Sequence, residues 1–250
     1  MKRTISLQFL GCGDAFGSGG QSQTCFYLRT SSLGIMVDCG ATSLVRMQAA
    51  GLSTDDVDII ALTHFHGDHY GGIPYLLLDA ALIRNRQKPL TIISPPGGES
   101  RITRLLELMY PGTEEKVLKA LDIIYIEYNA EDRVQAEGGI ELQTFPVFHS
   151  PESLPHGFRL RADDRTIGFS GDTYWCDALP DIASQADLFI CECNFFDTDL
   201  PQHLNYVLLE KKMGLLKHKQ IILNHLGEEM HRNSDRVSLP VAKDGQEIVL

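Results

Sequence analysis

The stretch Thr63-His64-Phe65-His66-Gly67-Asp68-His69 carries three imidazoles and one carboxylate within six consecutive residues. Imidazole and carboxylate are the side chains that bind Zn²⁺ and similar divalent ions. Residues 57–62, which precede the stretch, are apolar and β-branched and predict a buried strand. Residues 71–78, which follow it, predict a buried helix with Pro74 tolerated in its first turn. The stretch is therefore expected at the carboxyl end of a strand, where open α/β folds place their sites.

This turn carries enough ligands to contribute to two ions. His64 and His66 alternate and can face one ion, while Asp68 and His69 can face a second. Two divalent ions roughly 3.5–4 Å apart form a clamp for hydrolysis. Because each ion needs more protein ligands than the turn supplies, other parts of the chain must provide them.

Three further positions combine an apolar strand with a potential ligand at its end. His149 and His225 each follow a run of strand-like residues, and Asp172 follows Ser170-Gly171 at the end of another such run. A single histidine in such a place is usually an ordinary residue. Together with the first cluster, however, these positions predict metal ligands.

The composition is that of an ordinary globular chain. The 250 residues are enough for one large core, so a single domain over residues 1–250 is expected. No apolar run approaches the roughly 20 residues that span a membrane, and the N-terminus lacks the pattern of a secretory signal. We therefore expect a cytoplasmic protein with no membrane partner, whose six cysteines are reduced thiols.

The net charge limits the choice of partner. A formal charge of −11 disfavours a long nucleic acid, because nucleic-acid binders usually carry a basic face. This count omits bound metal, and two divalent ions would add positive charge at the site itself. A small anionic substrate is therefore compatible with the composition.

Residues 11–20 form a glycine-rich segment that comes close to a dinucleotide-binding motif. Three residues separate Gly13 from Gly17, where the motif needs two, and residues 24–28 predict a strand where it needs a helix. A dinucleotide site is therefore disfavoured. We expect either a loop near the metal site, whose backbone N–H groups can face an anion, or a plain connection between strands.

The pattern His-x-His-x-Asp-His after an apolar strand, followed in order by His149, Asp172 and His225, resembles the metallo-β-lactamase fold superfamily of binuclear hydrolases. The resemblance implies an α/β fold (α+β in some schemes), built as a four-layer αβ/βα sandwich with the metals at one edge between two sheets. It also implies that Asp38, at an Asp-x-Gly strand end, supports the metal-binding turn without binding metal. A homodimer is expected from the resemblance alone.

The same resemblance implies a ligand set. Six residues would bind two ions in groups of three, and one carboxylate would bridge them: His64, His66 and His149; Asp68, His69 and His225; and Asp172. The expected cofactor is two divalent metal ions, with zinc favoured and manganese or iron as alternatives. Flavodiiron relatives carry a glutamate where His66 stands, so a redox role is disfavoured and a hydrolase is favoured.

Two more residues resemble the ribonuclease Z-like phosphodiesterase branch of the superfamily. In that branch a histidine ahead of the last ligand strand donates a proton and a glutamate orients it, and His203 and Glu192 occupy those places. A leaving alkoxide needs a proton, which a histidine held by a carboxylate can supply near neutral pH. Asp68, His203 and Glu192 are therefore the candidate catalytic residues. The alternative is a surface position for His203 at the start of a helix over residues 202–213.

The spacing between two ligands narrows the substrate. His149 and Asp172 are 23 positions apart, which leaves no room for the arm with which ribonuclease Z binds tRNA. The spacing is similar to that of compact enzymes such as the phosphoribosyl cyclic phosphodiesterases. Cys12, Cys25 and Cys39, however, do not reproduce the additional cysteine-based zinc site of those enzymes.

The expected function is hydrolysis of a small phosphodiester, cyclic diesters and nucleotides included, by a hydroxide that bridges the two ions. Three alternatives stay open. They are a thioester or lactone hydrolase on the same site, a tRNA 3′-processing endonuclease, and a non-catalytic accessory protein.

Overall fold

The computed structural model describes residues 4–250 of the chain. Within this range, thirteen strands form two mixed β-sheets that pack against each other. In chain order the strands are β1 (Ser6–Gly11), β2 (Cys25–Arg29), β3 (Gly34–Val37), β4 (Ile59–Ala61), β5 (Leu90–Ser94), β6 (Ile123–Glu127), β7 (Arg133–Gln135), β8 (Glu141–Pro146), β9 (His156–Ala162), β10 (Arg165–Phe169), β11 (Leu188–Glu192), β12 (Ile221–Asn224) and β13 (Glu247–Val249).

Each sheet combines a parallel half with an antiparallel half. The first sheet has the order β13-β1-β2-β3-β4-β5-β6, and its strands from β3 to β6 are parallel. The second has the order β12-β11-β10-β9-β8-β7, and β10, β11 and β12 are parallel. Since β9 is antiparallel to both β8 and β10, these two strands run in the same direction.

Helices cover the outer face of each sheet. In chain order they are α1 (Ser43–Ala49), α2 (Gly67–Tyr70), α3 (Ile73–Leu78), α4 (Gly98–Met109), α5 (Glu114–Ala120), α6 (Ala178–Ala183), α7 (Tyr206–Lys212) and α8 (Glu228–Arg232). Apolar residues of α1, α3, α4 and α5 pack on the first sheet, and those of α6, α7 and α8 pack on the second. Between residues 4 and 250, none of the helices has the length and apolar character needed to cross a membrane.

The core lies in three layers of apolar side chains, one between the sheets and one under each set of helices. The sequence of strand β4 is continuously apolar because both of its faces are buried. Ile59 and Ala61 face the other sheet, whereas Ile60 faces the helices. Phe26 joins the sheets, with its ring 5.4 Å from that of Phe9 and 5.5 Å from that of Phe169. The predicted four-layer αβ/βα sandwich is thereby confirmed.

Two local predictions need correction. The helix expected from Gln202 begins at Tyr206, because Asn205 caps it, so His203 lies in the preceding turn. The helix after the histidine stretch ends at Leu78 and continues as a π-helical turn over Asp79–Ile83. As expected, the glycine-rich segment leads from β1 into the antiparallel strand β2 and not into a dinucleotide-binding helix.

Candidate metal centre

The turn between β4 and α2 is fixed by buried hydrogen bonds to its backbone. Tyr128 is fully buried and donates its hydroxyl to the Leu62 carbonyl at 2.6 Å. The His156 amide donates to the Thr63 carbonyl at 3.1 Å. These contacts come from the ends of other strands, so they hold the turn at the edge where the two sheets meet.

Two groups of potential ligands meet at this edge, and Asp172 belongs to both: His64, His66, His149 and Asp172; and Asp68, His69, Asp172 and His225. Within each group the ligand atoms lie within 4.8 Å of one another, and every member is buried except the half-buried His66. A tetrahedral ion with bonds of 2.0–2.2 Å keeps its ligands roughly 3.4 Å apart. Small side-chain adjustments would therefore fit one ion to each group. The grouping coincides with the sets that the family resemblance implies.

Asp172 lies at the middle of the centre. Its Oδ2 atom is 3.2 Å from Nε2 of His69 and 3.2 Å from Nε2 of His225. The same atom is 3.8 Å from Nε2 of His64 and 3.9 Å from Nε2 of His149. One carboxylate therefore faces imidazoles from both groups, which is the position that a bridging ligand needs.

The imidazole rings are held by their outer nitrogen atoms. His69 donates Nδ1–H to the Asp38 carboxylate at 2.8 Å, and His149 donates Nδ1–H to the Gln202 carbonyl at 2.8 Å. Both partners can only accept, so Nδ1 carries a proton and Nε2 is the atom that can face a cation at the centre. Hydrogen bonds of this kind to the outer nitrogen set the tautomer of metal-binding histidines.

Unpartnered nitrogen atoms show that the donor set suits a divalent cation. Nε2 of His64 and Nε2 of His69 are buried and make no hydrogen bond within residues 4–250, although His69 Nε2 lies 3.3 Å from the Asp68 carboxylate. A buried polar atom left without a partner costs about 1–3 kcal/mol. Nδ1 of His66 lies 3.0 Å from Nε2 of His149. Cations shared by these atoms would satisfy all of them at once.

The electrostatics of the centre also favour cations. Burial alone would raise the pKa of Asp172, but the charges of His225 and His69 hold it well below its usual range. Burial opposes ionisation of Asp68 as well, yet His69 lowers its pKa. Burial would lower the pKa of His69, but Asp172, Asp68 and Asp38 raise it well above its usual value. The carboxylates are therefore ionised, and their charge calls for a proton or a cation at the centre.

Two residues of the centre have strained backbones. Asp38 has a φ of +58° and His225 a φ of +56°, in the left-handed region that residues with a Cβ rarely adopt. Such strain costs of order 1–3 kcal/mol and is typical of functional sites. Asp38 uses this conformation to accept from the Thr63 amide at 2.8 Å as well as from His69. It thus contacts the metal-binding turn, as the resemblance implies.

His203 and Glu192 form a hydrogen-bonded pair beside the centre. His203 donates Nδ1–H to Glu192 Oε1 at 2.9 Å, and the Thr173 amide donates to the same oxygen at 2.6 Å. Burial would lower the pKa of His203, but the charge and hydrogen bond of Glu192 raise it to about 9. The His203 ring stacks on that of His225, with centroids 5.3 Å apart. The pair leaves Nε2 of a protonated imidazole free to act as an acid.

A cleft of about 440 Å³ lies against residues 194–195, which follow Glu192 along the chain. Phe195 lines it, and its ring centroid is 6.3 Å from that of His203. Phe16 lines the same cleft at the tip of the glycine-rich segment and is 91% exposed. Asp14 holds this tip by accepting from the amides of Phe16 and Ser18 at 3.1 Å and 2.9 Å.

The structure thus brings together every site residue that the sequence predicts. Sequence reasoning missed the groups that hydrogen-bond to the candidate ligands but lie far from them in the sequence, such as Thr24 and the Gln202 carbonyl. It also missed the aromatic residues of the cleft. Neither Thr24 nor Phe195 stands in a recognisable motif. The only available signal is the short distance along the chain between Phe195 and Glu192.

Comparisons with known proteins agree with this architecture. The family described as Anti-Pycsar protein Apyc1 matches residues 5–246. Ribonuclease Z of Mycobacterium sp. (strain KMS) is 27% identical over 192 residues, which cover 74% of this chain and 67% of that protein.

Solved structures share the fold over almost the whole chain. The metallo-β-lactamase fold protein YhfI from Bacillus subtilis superposes with a TM-score of 0.79 at 18% identity, covering 100% of both chains. A diphosphatase from the PhnP family superposes with a TM-score of 0.76 at 16% identity, covering 98% of this chain and 97% of that one.

Proposed function

We propose that the protein is a binuclear phosphodiesterase for small diesters. Cyclic diesters and nucleotides are included in this class. The proposal starts from two findings: the chain belongs to the Anti-Pycsar protein Apyc1 family, and it is a metal-dependent hydrolase of the metallo-β-lactamase fold. The observation that carries the proposal is the His203–Glu192 pair beside two ligand groups that share Asp172. Ester hydrolysis needs a nucleophile, charge stabilisation and a proton for the leaving group, and these residues would provide all three.

We assign His64, His66 and His149 to one ion, Asp68, His69 and His225 to the other, and Asp172 to both. Imidazole and carboxylate donors in this number suit Zn²⁺, and Mn²⁺ or iron would accept the same set. When bound, the two ions would lower the pKa of a water molecule towards about 7 and offset the charge on the phosphate. The ionised carboxylate of Asp68 would accept a hydrogen bond from the attacking water and so orient it.

His203 would supply the proton for the leaving group. In the reaction a water-derived oxygen bonds to phosphorus, the ester bond to the leaving oxygen breaks, and that oxygen takes the proton from Nε2 of His203. Glu192 orients the ring and stabilises its charged form. With a cyclic diester the product is a ring-opened monoester, because the leaving oxygen stays attached to the product.

The cleft beside His203 supports a small substrate. Its volume of about 440 Å³ suits a ligand with an apolar or aromatic part, because Phe16 and Phe195 line it. Arg232 in its lining is paired with Glu228 at 3.2 Å, so the positive charge for the phosphate would come from the ions at the centre and not from the cleft. The net charge of −11 opposes a long polyanion. The 23 positions from His149 to Asp172 are used by a 3₁₀ turn and by the hairpin β9–β10. This segment has no protruding arm.

The second candidate is endonucleolytic cleavage of tRNA precursors. The relatives named Ribonuclease Z favour it, because they match most of this chain. Both candidates cleave a phosphodiester with the same residues, so the difference lies in what the surface around the centre can hold.

The test is a substrate panel with the metal-loaded full chain. The panel contains cyclic mononucleotides with purine and pyrimidine bases, bis(p-nitrophenyl) phosphate, an unprocessed tRNA, a thioester and a lactone. We expect turnover of the diesters and of cyclic mononucleotides, with little on the others. Faster cleavage of the tRNA would favour the second candidate, and turnover of the thioester or lactone alone would overturn the proposal.

The role of His203 is tested in the same assay. His203→Ala should keep its metals and lose about 10²- to 10⁴-fold in kcat on a cyclic mononucleotide. It should lose less on bis(p-nitrophenyl) phosphate, whose leaving group needs no proton. His218→Ala is the control, because its ring packs on Phe189 ahead of β12, at the opposite end of that strand from His225. Unchanged kcat of His203→Ala on the cyclic substrate would rule out its role as the acid.

A further inference from the structure

His225 is held at three polar atoms by three different segments. Its amide donates to the Cys12 carbonyl at 2.9 Å, and its own carbonyl accepts from Asn194 Nδ2 at 3.1 Å. The third contact joins its ring atom Nδ1 to the Thr24 hydroxyl at 3.1 Å. Because the φ of His225 is +56°, these contacts keep the residue in a conformation that it would otherwise rarely adopt. Thr24 is the contact that reaches the ring.

The Thr24 hydroxyl has a second neighbour besides the His225 ring, and together the two contacts favour one direction of hydrogen bonding. The Thr24 hydroxyl also lies 3.3 Å from the Gly13 carbonyl, which can only accept. A hydroxyl has one proton, and when Thr24 donates it to Gly13 the hydroxyl oxygen can only accept from Nδ1–H of His225. Thr24 is 3% exposed, which leaves little access for a water molecule that could replace it. In this arrangement Nε2 of His225 offers a lone pair to a cation that it would share with the Asp172 carboxylate, 3.2 Å away.

We propose that Thr24 is a positioning residue that fixes the tautomer and the ring angle of His225 for the second metal ion. It stands to His225 as Asp38 stands to His69 and as the Gln202 carbonyl stands to His149. The inference rests on the binuclear centre of the proposed function. It also ties the segment that follows β1 to the metal site, because the chain of bonds runs from Gly13 through Thr24 to the ring.

A purely structural role for Thr24 predicts a different pattern of variants. If the residue only filled space before β2, Thr24→Val would preserve its function, since valine has nearly the same shape. If the hydroxyl sets the tautomer, Thr24→Ser would preserve the function and Thr24→Val would not. Thr144→Val is a matched control, because Thr144 is fully buried and its hydroxyl donates to the Asn129 carbonyl at 2.9 Å, in the second sheet.

The first readout is metal affinity. Metal-free proteins are titrated with Zn²⁺ against a chromophoric chelator, and the stoichiometry and both affinities are determined. Thr24→Val should bind one of two ions about 10- to 100-fold more weakly, which is the usual effect of losing a partner of a metal-binding histidine. Thr24→Ser and Thr144→Val should bind both ions as the wild type does. Equal affinities in Thr24→Val and the wild type would overturn the proposal, as would equal losses in Thr24→Val and Thr24→Ser.

The second readout needs no metal. Long-range ¹H–¹⁵N correlation spectra of the metal-free chain report which ring nitrogen of His225 carries the proton. In the metal-free chain both ring nitrogens face an acceptor, because Asp172 lies 3.2 Å from Nε2. The wild type and Thr24→Ser should therefore show a larger share of Nδ1–H than Thr24→Val, and equal shares would contradict the proposal. Thr24→Ala replaces the valine variant if that variant does not fold. A wild type that binds no metal would argue against the proposed function, whereas the tautomer would still decide the role of Thr24.

Discussion

Asp38 contacts the candidate centre only through other residues. It accepts hydrogen bonds from the Thr63 amide, the Thr63 hydroxyl and Nδ1 of His69, each at 2.8 Å. An amide in its place would turn an NH₂ group towards at least one of these donors. These contacts keep His69 in place together with the turn that carries His64, His66 and Asp68.

Replacing Asp38 by asparagine tests this role. Asp38→Asn should lower Zn²⁺ affinity by about 10- to 100-fold and lower the free energy of unfolding by about 1–3 kcal/mol. Zinc titration and urea unfolding measure the two effects. Asp58→Asn is the control, because Asp58 accepts from the Gly34 amide at 2.8 Å at the opposite end of the same strands. Wild-type affinity in Asp38→Asn would contradict the role.

The sequence predicts the candidate ligands of the site but not the residues that hydrogen-bond to them. His64, His66, Asp68 and His69 are adjacent, so their types and spacing alone indicate metal binding. Their hydrogen-bond partners are not adjacent. Thr24 is 201 positions from His225, and only the packing of the two sheets brings them together.

Helix α7 and the turn before it form one functional element. The turn carries His203 and the Gln202 carbonyl that holds His149. The side chain of Asn205 then accepts from the Leu208 amide at 2.8 Å and so caps the helix. Since α7 has only 7 residues, its cap contributes strongly to where the turn lies.

Removing the cap should loosen this element. Asn205→Ala should lower the free energy of unfolding by about 1 kcal/mol and reduce kcat, because both His203 and the partner of His149 would move more freely. Asn205→Asp keeps an oxygen at the cap, so its free energy of unfolding and its kcat should stay close to those of the wild type. Urea unfolding and steady-state kinetics measure them. Equal stability of the alanine variant and the wild type would show that the cap does not hold this turn.

The hairpin β9–β10 carries a titratable group, His156, that is not one of the proposed ligands. Burial lowers the pKa of His156 below its ordinary value, although the Leu154 carbonyl and Asp132 oppose the shift. The unfolded chain therefore binds a proton more readily than the folded one does. The contribution of His156 to stability is present above its unfolded pKa of about 6.5 and is lost as the pH falls through the lower, folded value.

The pH dependence of unfolding tests this shift. For metal-free wild type and His156→Gln, the free energy of unfolding is measured at pH 7 and pH 5. The loss of stability on acidification should be smaller in the variant, because the group that takes up the proton is gone. Equal losses in the two proteins would show that His156 is not protonated on unfolding.

At the scale of elements the sequence predicts order and type better than boundaries. Apolar runs with turn residues between them identify the strands that carry the ligands. The start of α7 depends instead on one side chain, Asn205, which accepts a hydrogen bond only in the folded turn. The π-helical turn Asp79–Ile83 depends on the buried Asp79 carboxylate, which accepts from the Thr54 hydroxyl at 2.8 Å. Asparagine at the start of a helix is a local N-cap signal that could have marked the start of α7. The contact of Asp79 with Thr54 spans 25 positions and is not visible in a local pattern.

The whole molecule places ligands from both halves of the chain at one edge. Strands β4, β8, β10 and β12 end there, and each is followed by at least one predicted ligand. The order of motifs along the chain therefore predicts both the fold and the meeting point of the ligands. The order of motifs does not predict the shape of the cleft. Phe16 and Phe195, which line it, come from loops whose paths depend on the packing of the entire edge.

The central claim is that activity needs two ions on seven ligands with Asp172 between them. The most direct test is a stepwise Zn²⁺ titration of the metal-free chain, with bound metal per chain and hydrolysis of a cyclic mononucleotide measured on the same samples. We predict that turnover stays low up to one ion per chain, rises as the second ion binds, and disappears when a chelator removes the metal. Full turnover with one ion or none, or a chain that never binds a second ion, would contradict the claim.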